Sequence, residues 1–197
     1  MNIKQLEELL LQSLEHEIGG TKVYAVAIAC AQNPDLKAEW HKYKEETHTH
    51  VTKMEGLCAA LGVDPTKETP GRAVVRSLGA ALVEAMNLAQ SAGDPAAAEL
   101  VASECVVIAE TKDHLNWQLI GKSADALAGE ASAALKSAYQ EVEDQEDEHL
   151  YHSKGWCREL WIQSLGLSAV LPPPEERQHV KTAMGAAKAE ASAEKLR

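Results

Sequence analysis

Four long stretches of this chain repeat apolar residues at intervals of three, four and seven, and each carries a carboxylate inside its apolar stripe. A strand would alternate at every second residue, so this periodicity requires long amphipathic helices packed side by side. The inward residues are Glu17, Glu46 with His50, Glu104, and Glu146 with His149. Carboxylates almost never lie in an apolar stripe unless something cationic balances them. Recurrence on four separate segments points to a shared cation, and a dinuclear metal site is the sharpest expectation.

The first helix is expected over 3–31, with Leu10, Leu14, Glu17, Thr21, Tyr24 and Ile28 on one stripe. Asn33-Pro34-Asp35 reads as a turn and helix start. The second helix is expected over 36–61, with Tyr43, Thr47, His50, Val51, Met54, Leu57 and Leu61 inward and a stop at Gly62. Residues 64–70 form a loop, and 72–92 a crossover helix with Val75, Leu78, Leu82, Met86 and Ala89 on one face. Asp94 as N-cap and Pro95 at the first helical position start a third bundle helix, expected to end at Ile120 with Leu100, Glu104, Val107, Thr111, His114, Leu115 and Gln118 inward. The fourth is expected over 130–165, presenting Val142, Glu146, His149, Ser153, Trp156 and Leu160. Two helical hairpins joined by a connection long enough to cross the bundle predict an all-α, up-down four-helix bundle over 1–166 with one crossover. Residues 167–197, a Pro-rich link and an Ala/Lys/Glu-rich tail, have little apolar surface to bury.

Composition agrees with this class. The 197 residues include no Phe and few other aromatics, and Ala and Leu dominate, which favours close helix packing over a sheet core. A formal net charge of −11 disfavours nucleic acid as a partner and suits a protein that attracts cations. Cys30, Cys58, Cys105 and Cys157 are far apart, form no CxxC pair and sit among apolar neighbours, so they read as small core residues in a reducing compartment. No run reaches the ~20 apolar residues of a membrane span. The opening MNIKQLEELLLQSLEHE lacks the order of a signal peptide, and a cytoplasmic location is expected.

Rotation by about 100 degrees per residue lets each acid be compared with its own stripe. Glu17 and Glu104 lie centrally, while Glu15 and His16 point away and are expected in solvent; Glu110 falls at the edge of its stripe. Glu146 and His149 have the Glu-x-x-His spacing that places a carboxylate and an imidazole on one helix face. In the second helix Glu45 and His48 share that spacing but face outward, so Glu46 and His50 are preferred. Glu110, His114, Glu148 and His152 are second-rank candidates, and Tyr24 and Tyr43 face inward as outer partners. For any single inward Glu the ordinary alternative is a boundary residue paired with Lys or Arg. Histidines accompanying the acids on the second and fourth helices favour the metal reading. Mixed carboxylate and imidazole ligands suit iron or manganese better than zinc, which stays open.

Together these elements resemble the ferritin-like superfamily, particularly rubrerythrin-like domains and small bacterial stress-associated ferritin-like proteins. The resemblance is carried by Glu17 with Tyr24, EETHTHV through His50, ASECVV around Glu104 and EDEHLYH around Glu146 and His149. It implies a pair of iron or manganese ions reacting with oxygen or peroxide, with Glu46 and Glu146 bridging and Glu17 and Glu104 terminal. That family usually has Glu-x-x-His in the second helix too, whereas Thr47 stands three before His50 here. No CxxC pairs of a rubredoxin-like module occur, so an attached iron–sulfur module is not expected to deliver electrons.

The expected function is therefore a diiron protein that reacts with oxygen or peroxide, or that binds and oxidises Fe(II), in stress protection. The alternative is a non-enzymatic helical stress or interaction protein with a degenerate site. Nothing in the sequence marks the extra interfaces of a shell, so a homodimer is expected; sedimentation velocity should give a two-chain particle, and a particle of many subunits would overturn this.

Overall fold

Turn chemistry sets the helix starts. Asn33, Thr69 and Asp94 each precede a proline, and each side chain accepts from backbone amides two or three residues on, satisfying donors that the first turn leaves open. In the computed structural model, which describes residues 1–196, the helices are α1 (Ile3–Cys30), α2 (Pro34–Ala60), α3 (Pro70–Ser91), α4 (Pro95–Asp125), α5 (Gly129–Ser164), α6 (Pro174–Arg177) and α7 (Ala183–Glu194). There is no strand among the described residues. α2 starts at Pro34 because Asn33, not Asp35, is its cap, and α4 runs five residues past the expected Ile120. No helix of the described residues is long and apolar enough to cross a membrane.

Helices α1, α2, α5 and α4 form a ring in which each packs on the next. Side-chain pairs between neighbours run in opposite sequence order: Glu17 meets Trp117 and Tyr24 meets Glu110, while Tyr43 meets His152 and His50 meets Gln145. Adjacent bundle helices are therefore antiparallel, and α2 and α4, which are not adjacent, run in the same direction. Connecting them needs a return across the bundle, and α3 supplies it, lying against α1 and α4. α1 and α3 approach closely at Gly19 and Gly79. Arg72 and Arg76 of α3 grip Glu15 of α1 at 2.7 and 2.8 Å, so Glu15 is buried, contrary to the solvated position expected for it. His16 is half-buried and donates to the Ala109 carbonyl at 3.0 Å.

The core is divided. One apolar cluster gathers Tyr24, Ala27, Trp40, Tyr43, Ala102, Val106 and Trp156; a second gathers Leu10, Leu14, Met54, Leu57, Trp117, Ile120 and Val142. On every bundle helix the residues between the two clusters are polar: Glu17 on α1, Thr47 and His50 on α2, Glu110 and Asp113 on α4, Glu146 and His149 on α5. A buried polar layer thus crosses the bundle near its middle. Cys30, Cys58 and Cys105 are buried in the apolar regions and Cys157 is half-buried; all four are free thiols.

The tail buries more than its composition suggests. α6 packs on α5, and α7 on both, with Ala189, Ala193 and Val180 buried. Arg158 of α5 holds Glu175 through two hydrogen bonds, at 2.8 and 3.0 Å, and Trp156 donates to Glu176. Gly155 makes the approach sterically feasible: a β-carbon there would stand 2.7 Å from Glu175 Oε2 and 3.0 Å from the Pro173 β-carbon. Gly155→Leu should lift α6 and α7 from α5, costing about 1–3 kcal/mol as an overpacked contact does. Hydrogen exchange should accelerate across 174–194 with the bundle amides unchanged; unaltered tail protection would refute this account of the docking.

Candidate metal centre

α5 places its predicted residues as the spacing requires. Val142, Glu146, His149, Ser153, Trp156 and Leu160 are all buried. α1 does the same with Glu17, which is wholly buried. α2 brings His50 inward, again wholly buried, while Glu45 and His48 face solvent. Two groups of three potential ligand atoms result, each within 4.8 Å of one another: Glu17, His50 and Glu146, and Glu110, Glu146 and His149. Glu146 belongs to both.

Two expected ligands stand elsewhere. Glu104 is exposed and accepts a hydrogen bond from the Trp161 indole at 3.0 Å, while Glu110 of the same helix is buried in the polar layer. The inner face of α4 is lined by Ala98, Ala102, Cys105, Val106, Ala109, Asp113, Asn116 and Trp117, whereas Ile108, Leu115 and Leu119 are exposed. Tracking the larger aliphatic residues selects the wrong side of this helix. Glu46 is half-buried and lies behind His149, accepting from its Nε2 at 2.8 Å, so it belongs to neither group. Of the second-rank candidates Glu110 joins the layer, but His114 pairs with Asp147, Glu148 with Lys42 and Lys181, and His152 with Tyr43. Asp113, Trp117 and Gln145 were not anticipated. The helical spacings of Asp113 and Trp117 from Glu110 mark a common face once Glu110 is taken as inward.

Four of these side chains have a further hydrogen-bond partner, and the Glu17 oxygen that Trp117 holds is also the one 3.7 Å from His50 Nδ1. Trp117 donates to Glu17 Oε1 at 2.7 Å, Tyr24 donates to Glu110 Oε1 at 2.8 Å, and His50 Nε2 donates to Gln145 Oε1 at 2.8 Å. With Glu46 on His149, all four side chains are held by a neighbour. The atoms left without hydrogen-bond partners are Glu17 Oε2, Glu110 Oε2, the Nδ1 atoms of His50 and His149, and both oxygens of Glu146. His50 Nδ1 lies 3.0 Å from Glu146 Oε1, and His149 Nδ1 lies 3.5 Å from Glu110 Oε2 and 3.7 Å from Glu146 Oε1. Buried polar atoms are rarely left unpaired, and the two clustered groups could hold cations. Asp113, buried with Oδ1 also unpartnered, adds a fourth acid.

Without a cation the charges must be balanced by protons. Burial and the neighbouring Asp113 and Glu146 push the Glu17 carboxyl well above its usual range, and burial with Asp113 and Glu110 does the same to Glu146. Burial alone would depress the His149 imidazole, yet Glu110 and Glu46 outweigh it and raise it to about 10. Glu110 resists its own burial through His149 and Tyr24 and is held below the usual range. Burial and the His149 charge lower His50. No family model, curated protein or solved structure matches this chain.

The sign of the pH dependence follows. Glu17 and Glu146, with folded-state values raised, favour the native state while protonated, and this support is lost as pH rises through those values. His149 supports folding fully below its ordinary 6.5 and loses that support as pH approaches about 10. The depressed Glu110 acts only at acid pH. In chelator, the melting temperature should fall as pH rises above 4.5, where the raised carboxyls begin to cost stability, with the His149 part of the decline between 6.5 and about 10, and Glu146→Gln, which carries no charge, should flatten part of the decline. A profile level across that range in the parent protein would contradict this charge arrangement.

Proposed function

We propose that this chain is a ferritin-like dinuclear metal protein, with iron its cofactor, that reacts with oxygen or peroxide or oxidises Fe(II) in stress protection. The observation that carries the reading is the shared carboxylate: Glu146 belongs to both three-residue groups, and neither of its oxygens has a hydrogen-bond partner. A carboxylate with two free oxygens between two imidazoles is suited to link two ions. Glu17 and His50 would complete one ion's protein ligands, Glu110 and His149 the other's, with Asp113 in reserve beside them. The carboxylate-rich set with two imidazoles suits iron or manganese. Bound iron would supply the electron transfer that reduction of oxygen or peroxide requires.

The chain's own residues would set the conditions for that chemistry. Trp117, Tyr24, Gln145 and Glu46 fix the ligands before metal arrives, limiting the reorganisation that binding demands. The two apolar clusters keep bulk water from both sides of the layer. Cation binding would displace the protons held on Glu17 and Glu146, so affinity should increase with pH. One observation favours the rival reading of a degenerate, non-enzymatic site: Thr47, whose hydroxyl donates to the Tyr43 carbonyl, occupies the interior position three before His50 where a further carboxylate would complete the resemblance.

Anaerobic Fe(II) titration followed by calorimetry and metal analysis distinguishes the two. The proposal expects two ions per chain, a higher melting temperature on binding, loss of both ions in Glu146→Ala and loss of one in Glu110→Ala, with Glu104→Ala unchanged. A parent protein that binds no more than about one equivalent, indifferent to Glu146→Ala, would leave the non-enzymatic reading standing.

A further inference from the structure

Beside the polar layer a cavity of about 220 Å³ opens between α4, α5 and the start of α7. Three carboxylates line it in order of increasing burial: Glu143 is exposed, Asp147 is half-buried with its side chain 17% accessible, and Glu146 is 1% accessible. Each of the outer two is held in place, Glu143 by the Tyr139 hydroxyl at 2.8 Å and Asp147 by His114 at 2.7 Å. No lysine or arginine lines the cavity. Trp117, whose indole nitrogen holds Glu17, also borders it. The innermost carboxylate is thus both a wall of the cavity and the residue common to the two ligand groups, with both oxygens unpartnered.

We propose that this cavity is the entry path for divalent cations to the metal centre and that the tail forms one side of its mouth; the inference rests on the reading of Glu146 as a metal ligand. An incoming cation would meet a carboxylate at each depth and no lysine or arginine, with His114 the one imidazole of the lining, hydrogen-bonded to Asp147, and this favours cations over anions. A low-dielectric cleft of one charge sign concentrates and steers the opposite charge. Thr182 and Ala183 supply the tail's contribution to the lining. Their position is fixed on both sides: Thr182 caps α7 by accepting from Gly185, and Lys181 pairs with Asp144 at 3.0 Å and Glu148 at 3.2 Å. Lys181 is directed onto the outer acids of α5 and does not line the cavity, so the path keeps its negative character. Docking of the tail and access to the centre are consequently linked.

Stopped-flow loading of the full chain with Co(II), read by its d–d absorbance and followed to equilibrium, tests the route. Ala183→Trp should slow loading several-fold by filling the mouth, with stoichiometry and equilibrium affinity retained. Glu143→Gln, an exposed substitution that carries little risk to folding, should slow loading by a factor of about 3 to 10 at low salt, near the lower range of electrostatic steering, and reduce its salt dependence. Parent-like rates in both variants would overturn the proposed path. Loss of stoichiometry in Ala183→Trp would overturn it also, by making the cavity part of the binding site. Failure of the parent protein itself to bind Co(II) would instead refute the dinuclear reading on which the inference rests.

Discussion

Burying several carboxylates in one layer of a helix bundle is the constraint on which the rest of this structure depends. An ionised carboxylate isolated from water is costly enough that it is neutralised, paired or bound to metal. Here all the compensations are local. His149 pairs with Glu110, burial and neighbouring acids raise the Glu17 and Glu146 carboxyls and favour their protonated forms, and neutral donors from Trp117 and Tyr24 cover one oxygen each of Glu17 and Glu110. Both oxygens of Glu146 are left uncovered. The two apolar clusters on either side provide the packing that holds such a layer together, since removing water from Leu, Val and aromatic side chains is the main favourable term in folding.

How much of this was legible in the sequence depended on the kind of residue that lines each inner face. α5 and α1 bury large aliphatic and aromatic residues beside their acids, so periodicity located Glu146, His149 and Glu17 directly. α4 packs on α1, α3 and α5, and such contacts favour small side chains that permit close approach; its buried face is rich in alanine and its exposed surface carries Ile108, Leu115 and Leu119. Hydrophobic size therefore misdirected the choice to Glu104 and away from Glu110 and Asp113. Glu46 illustrates a different limit. Spacing along α2 brought it to the edge of the stripe, but whether an edge carboxylate reaches the centre or the rear of a histidine depends on the ring opposite, here His149 on α5, which no local pattern specifies.

The outer residues were hidden for a related reason. Glu15 reads as solvated because its partners, Arg72 and Arg76, lie on another helix about sixty positions away, and the ion pairs become apparent only when α3 is laid across α1. The tail was underestimated similarly. Its alanines add little hydrophobic signal, yet Gly155 on α5 allows Pro173 and Glu175 to settle against the helix, and Arg158 secures them. Two-body features of this kind, a glycine on one element and a charged pair on another, are individually ordinary in a sequence.

The polar layer is also asymmetric. α1 and α2 come together where Gly20 faces Thr47; a β-carbon at position 20 would stand 3.3 Å from the Thr47 methyl carbon. That contact leaves little room for a side chain at position 20, and Thr47 satisfies its own hydroxyl by donating to the Tyr43 carbonyl. Helix α2 contributes one inward imidazole and no fully buried carboxylate, whereas α4 contributes both Glu110 and Asp113. The interior negative charge missing from α2 is present diagonally across the bundle on α4, beside His149, where burial and the mutual repulsion of Glu17, Asp113 and Glu146 act on these side chains together. The absence of a buried acid on α2 therefore does not impoverish the layer: Glu110, Asp113 and Glu146 weight its negative charge toward the α4–α5 side, the same side on which the acidic cavity reaches Glu146.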